Sequence, residues 1–278
     1  MSDPRSVLTR PAPAPDLTVR YGPLPDHVAD VRLPAPTDPH SPAPLVVVIH
    51  GGFWRHRYDR THTGPQCAAL AAAGFAVVAI EYRRTGGGGG WPETFDDVAL
   101  ALDTVPELVA EAAPGRVDTT RVVHLGHSAG GHLAVWAASR TRLPAESRWR
   151  RHDPDPALRG VVSLAGVLDL AACADADLDD GAVRALLGGD PHQIPERYAE
   201  ADPLQLTPPG VPTVLIHGTD DDRVPPEFST RYAAKAGHQA DMVSLPGIEH
   251  FGVIDPLSSA WPEIERQVSA LLRAIDDR

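Results

Sequence analysis

Five runs of continuous, largely β-branched apolar residues recur along the chain: LVVVIH, AVVAIEY, RVVHLG, GVVSLAG and TVLIHG, with ADMVSLPG a weaker sixth. Alternating apolarity marks a strand with one wet face. Continuous apolarity means that both faces are covered, as in a parallel sheet held between two layers of helix. Helical patterning falls between the runs, at Thr63–Ala73, Phe95–Ala112, Gly131–Arg140 and Pro226–Ala236, and Trp261–Ile275 closes the chain. The alternation predicts an α/β architecture with a mostly parallel central sheet flanked by helices. Proline punctuates residues 1–44 (RPAPAP, YGPLPD, LPAPTDPHSPAP), which predicts short extended pieces joined by stiff turns. Within that region LTVRYG and HVADVRL are expected to pair as an antiparallel hairpin on the sheet edge.

Two segments interrupt the rhythm. TRLPAESRWRRHDPDPALR is charged and proline-broken, which predicts an exposed excursion. The stretch of about 171–207, following GVVSLAGVLDL, is too long for a plain crossover and too poor in apolar residues for a core of its own. It predicts a small lid, so that residues 1–278 form a single domain. The tract Gly86–Gly90 reads as a flexible loop.

Composition narrows the function classes. The net charge of −12 repels phosphate backbones and anionic headgroups, so neither nucleic acid nor membrane is expected as a partner. The segment FWRHRYDRTH is locally basic and aromatic; it reads as a solvated loop leading into a helix, with a small anionic ligand as the other reading. Cys67 and Cys173 have no companion motif, and the 13 histidines show no HExxH or HxxxH spacing, so neither metal nor other cofactor is expected. The amino terminus lacks an apolar leader and no apolar run reaches the roughly 18 residues of a span, which makes the cytoplasm the expected location.

In open α/β sheets ligands bind beyond the carboxyl ends of the strands, and the reactive-looking clusters fall there. Gly126-His127-Ser128-Ala129-Gly130 fits the G-x-S-x-G elbow, a sharp strand-to-helix turn that exposes a nucleophile. His50-Gly51-Gly52-Phe53-Trp54 ends the first parallel strand, Asp220-Asp221-Asp222 follow TVLIHG, and Glu249-His250-Phe251 follow the last. Acyl transfer needs such parts. A serine attacks, a histidine takes and returns its proton, an aspartate orients the imidazole, and backbone N–H groups receive the developing oxyanion. Ser128 and His250 take the first two parts, an aspartate near 221 the third, and the N–H groups of Gly52, Phe53 and Ala129 the last.

These motifs, from about Leu45 onward, resemble those of α/β-hydrolases: esterases with an H-G-G-G loop and, more closely, kynurenine formamidases, whose H-G-G-x-W loop is similar to HGGFW. The resemblance implies an α/β-hydrolase fold. Its H-G-x-x-D-x-x-V-P pattern falls on His217 to Pro225 and selects Asp221 as the acid; its His-Phe pair falls on His250 and Phe251. Phe53 stands where the esterase loop has a third glycine. Asp169 is the rival acid, with helix capping as its other role. His50, His127 and His217 are read as bracing residues and Glu249 as solvated. Trp54, Trp91 and Phe251 are candidate substrate contacts. The expected function is hydrolysis of small carboxylic esters through an acyl-enzyme; the alternatives are an arylformamidase acting on N-formylkynurenine and a binding protein on a retired hydrolase scaffold.

Overall fold

The computed structural model describes residues 3–35 and 41–273. A hairpin of β1 (Leu17–Arg20) and β2 (Val28–Arg32) precedes the parallel strands β3 (Ala43–Ile49) and β4 (Ala76–Ile80), which α1 (Gly64–Ala72) connects. Then come α2 (Glu93–Ala112), β5 (Val117–His127), α3 (Ala129–Ala138) and β6 (Leu158–Leu164). Three short helices follow, α4 (Leu170–Asp175), α5 (Leu178–Leu187) and α6 (Pro195–Ala201), and the chain ends in β7 (Thr213–Gly218), α7 (Glu227–Ala236), β8 (Ala240–Leu245) and α8 (Trp261–Arg273). The sheet has eight strands in the order β1-β2-β4-β3-β5-β6-β7-β8, antiparallel in the β1-β2 and β2-β4 pairs and parallel beyond them. The last two residues of the helix expected over Trp261–Ile275 lie outside the described residues, as does part of the proline-rich start.

Side chains of period two explain why the apolar runs are unbroken. Leu45, Val47 and Ile49 of β3 enter the cluster that packs under α2 and α3, while Val46 and Val48 enter the one that packs under α1 and α8. Both faces of the strand are therefore dry. β8, an edge strand with fewer buried positions, is the run that carried the weakest pattern.

Two expectations need correcting. The excursion after α3 is not simply exposed: Leu143 and Trp149 are buried, and the Trp149 ring meets Trp91, Phe95 and Trp136 with centroids 4.8, 5.6 and 5.7 Å apart. Its charged neighbours hid an anchor. Nor is Gly86–Gly90 an undefined loop. Gly87 and Gly89 both donate to Arg84 O, at 2.9 and 3.0 Å, and a Cβ on Gly89 would lie 2.3 Å from the Arg83 carbonyl carbon. The tract is a tight turn that only small residues can make.

Candidate active site

β5 runs into α3 through Ser128, which holds φ 55° and ψ −118°, a conformation that costs a non-glycine residue free energy and persists only under tertiary constraint. The constraint is visible. Ser128 N donates to Leu164 O at 2.8 Å, and strand and helix approach so closely that a Cβ on Gly126 would lie 2.1 Å from Gly130 O, and one on Gly130 2.0 Å from Ile49 O. The elbow glycines make room for crossing backbones.

Two loops at the carboxyl ends of β7 and β8 carry Asp221 and His250. His250 Nδ1 donates to Asp221 Oδ2 at 2.7 Å, and His217 Nε2 reaches the same oxygen at 3.1 Å. Asp221 Oδ1 accepts the N–H groups of Arg223 and Val224 at 2.8 and 2.9 Å. Burial would raise the pKa of this carboxyl, yet the hydrogen bonds from His217, His250 and Val224 outweigh it and hold the group far below the usual carboxylate range. Asp221 is thus a fixed anion. Ser128 and His250 line one cleft of about 490 Å³ together with Gly52, Phe53, Tyr58 and Phe251. Among the described residues no hydrogen bond joins the Ser128 hydroxyl to His250, so the Asp–His half of the arrangement is closed and the Ser–His half open. Contacts of this kind commonly tighten only around substrate.

The loop after β3 completes the cleft. Gly52, Phe53 and Trp54 all have positive φ, at 111°, 48° and 55°. The bend is pinned by Arg55 N to Gly52 O at 2.9 Å and Thr85 N to Trp54 O at 2.8 Å. The N–H groups of Gly52 and Phe53 in this bend, and that of Ala129 at the start of α3, have no acceptor among the described residues. Unpaired donors beside a nucleophile are what a developing oxyanion requires.

Beneath this loop sits a buried charge cluster that the sequence reading missed. His50 Nε2 lies 2.8 Å from Glu81 Oε1, the His50 ring stacks on Tyr82 at 4.3 Å, and the Tyr82 hydroxyl donates to His50 O at 2.8 Å. Burial opposes ionisation of Glu81, but His50, Arg84 and the Arg60 N–H pull its pKa down to about 2. An acid ending the apolar strand AIEY was the available signal. Because the folded pKa lies below the ordinary 4.5, the stabilisation is fully present above that pH and lost as pH falls through about 2. In chemical denaturation, the stability advantage of the native protein over Glu81→Gln is expected to shrink by roughly 2 kcal/mol between pH 6 and pH 3. A pH-independent difference would refute this role for Glu81.

The remaining candidates separate cleanly. Phe53 and Phe251 face the cleft. Trp54 does not: it is fully buried and its indole N–H donates to His132 Nδ1 at 3.2 Å. Trp91 packs on Phe95 and Trp149 and likewise lines no part of the cleft. Both tryptophans are packing residues here, Trp54 at a left-handed turn and Trp91 within an aromatic cluster. Asp169 caps α4 by accepting from Ala172 N at 2.9 Å and pairs with Arg231 at 2.9 Å. His127 lies with Nε2 3.0 Å from His250 O, and burial, then the nearby His250, lowers its pKa well below the ordinary value. It braces the backbone of His250 as a neutral ring. Glu249 accepts from Phe251 N at 2.7 Å. Burial raises the thiols of Cys67 and Cys173 to about 11 and 12, which leaves them poor nucleophiles.

The basic segment FWRHRYDRTH is, as expected, a loop leading into α1, exposed at His56, Arg57, Asp59 and Thr61. Phe53, Tyr58 and His62 line the cleft, Arg55 and Arg57 pair with Asp179 at 3.1 and 3.2 Å, and Arg60 pairs with Asp30 at 2.9 Å. Its three arginines each have a carboxylate partner within the chain. The helices α4 to α6 supply Asp179 to the cleft and bury Val183, Leu186, Leu187 and Tyr198 in the core. Among the described residues no group of three or more His, Cys, Asp or Glu is arranged to hold a metal ion, and no helix is long and apolar enough to cross a membrane.

An elbow serine, an Asp–His pair and a donor-lined loop at the carboxyl edge of this sheet define an α/β-hydrolase fold. Solved structures agree in fold: a truncated carbohydrate esterase from gut microbiota superposes with a TM-score of 0.76 at 22% identity, covering 93% of this chain and 97% of that one. Esterase B from Lactobacillus rhamnosis superposes at 0.75 and 20%, covering 98% and 91%. The chain belongs to the BD-FAE family, whose model matches residues 30–235. Esterase LipC of Mycobacterium tuberculosis is 28% identical over 85% of this chain and 60% of its own. A probable isoprenylcysteine alpha-carbonyl methylesterase of Oryza sativa is 26% identical over 93% and 64%, and a kynurenine formamidase of Danio rerio 28% identical over 55% and 46%. The chain thus spans between 46% and 64% of the length of these curated relatives.

Proposed function

We propose that the protein is a serine hydrolase of small carboxylic esters. The observation that carries this reading is the convergence on one cleft of Ser128, in its strained elbow, and His250, oriented by the ionised Asp221. In this mechanism Ser128 Oγ attacks the ester carbonyl carbon and His250 Nε2 takes the hydroxyl proton. The N–H groups of Gly52, Phe53 and Ala129 receive the oxyanion. As the C–O bond breaks, the alkoxide leaves with the proton from His250 and Ser128 remains acylated. Water, activated by the same imidazole, then releases the acid and restores the serine. Names of relatives support the ester class, with an esterase and a methylesterase among them.

The formamide alternative rested on Trp54 closing the HGGFW loop, and that side chain is buried away from the cleft. Turnover of p-nitrophenyl acetate and of N-formylkynurenine, compared as kcat/KM, tests the order. Preference for the acetate is expected; a strong preference for the formamide reverses it. A fluorophosphonate probe is expected to modify the protein stoichiometrically, with the adduct mapping by mass spectrometry to the peptide containing Ser128. An unlabelled protein that turns over neither compound points to the binding-protein reading.

A further inference from the structure

The family match begins at residue 30, yet one wall of the cleft comes from well before it. Residues Pro4–Thr9 form a 3₁₀ turn capped by Asp3, whose side chain accepts from Arg5 N at 2.9 Å. The turn is fastened at two points. Val7 is buried in the apolar cluster beneath α1 and α8, and Arg10 pairs through both guanidinium nitrogens with Asp255, with Nη2 to Oδ2 at 2.8 Å. Asp255 lies on the loop that follows His250, so the turn is clamped to the segment bearing the base. From this seat Arg5 and Leu8 reach the cleft that Ser128 and His250 line.

Charge at that mouth is unbalanced. Arg5 makes no ion pair among the described residues, and its side chain's one hydrogen bond there is to the Tyr58 hydroxyl at 3.4 Å. Arg223, also on the cleft, has Asp222 at 3.4 Å, and both side chains are exposed. The cleft's acid, Asp179, is occupied by Arg55 and Arg57, and burial lowers His62 to about 4, so it adds no charge at neutral pH. Two cations with no strong partner thus stand at the entrance to a reactive serine in a chain of net charge −12. Resting on the serine-hydrolase reading above, we propose that the amino-terminal turn is a specificity wall: Arg5, together with Arg223, selects esters that carry a carboxylate, while Leu8 bounds the apolar part of the substrate.

The test compares 4-acetoxybenzoate with 4-acetoxybenzamide, which share the scissile acetate and differ in charge. The native protein is expected to prefer the benzoate in kcat/KM. Arg5→Gln is expected to reduce the benzoate-to-benzamide ratio roughly three- to fivefold, as suits one exposed charge pair, through KM for the benzoate, and Arg5→Gln with Arg223→Gln about tenfold. Arg5→Lys should retain most of the preference, and Arg266→Gln, a remote exposed arginine of α8, should leave the ratio unchanged. Salt at 1 M should erode the native preference. Cleavage of p-nitrophenyl acetate without any benzoate preference, or an equal change on both esters in Arg5→Gln, overturns this proposal alone. No probe adduct on Ser128 and no turnover of any ester overturns the serine reading and this proposal with it.

Discussion

Replacing Asp221 by asparagine is expected to lower kcat for p-nitrophenyl acetate by about 10⁴, with the protein still folded by circular dichroism. Four donors converge on this carboxylate: His250 Nδ1, His217 Nε2 and the N–H groups of Arg223 and Val224. An asparagine has one acceptor oxygen for them, and its amide nitrogen must face one of the donors. Turned toward His250, that N–H would force the imidazole to accept at Nδ1 and carry its proton on Nε2, where it cannot take one from serine. Asp169→Asn is expected to leave kcat within about threefold, since its acceptor oxygen still caps α4 at Ala172 N. The reverse pattern would move the acid to Asp169.

Ser128→Ala is expected to lose at least 10⁴ in kcat with KM little changed, and to lose fluorophosphonate labelling altogether. Alanine retains the Cβ, so the elbow keeps its backbone strain and its packing, and only the Oγ disappears. Residual turnover would come from the free N–H donors acting on water attack. Thermal stability should be equal or slightly higher, because strained reactive positions trade stability for function. Activity within tenfold of native would mean that another group attacks the carbonyl.

Much of this arrangement was legible before any coordinates. The six apolar runs became β3 to β8 because a strand covered on both faces has no polar positions to disguise it. The elbow was legible because only glycine survives where a Cβ would approach a carbonyl oxygen to about 2 Å. His250 was proposed from its place after the last strand, and Asp221 from the resemblance, whose H-G-x-x-D-x-x-V-P pattern falls on His217 to Pro225. The failures share a cause. Trp54 looked like a cleft residue because it follows Gly52 and Phe53, but at left-handed turns adjacent side chains diverge; Trp91 instead packs on Phe95 and Trp149. Trp149 was lost in a charged stretch because its partners lie more than ten residues away in the chain.

Local patterning by itself determined the sheet, its helices and the serine elbow, since each is set by periodicity and sterics within a few residues. Tertiary structure alone decided which rings face the cleft, that Glu81 is bonded to His50 at the end of β3, and that Arg5 and Leu8 share a cavity with a serine more than a hundred residues away. Those are contacts between distant parts of the chain, and they come into being only when the folded backbone closes the distance.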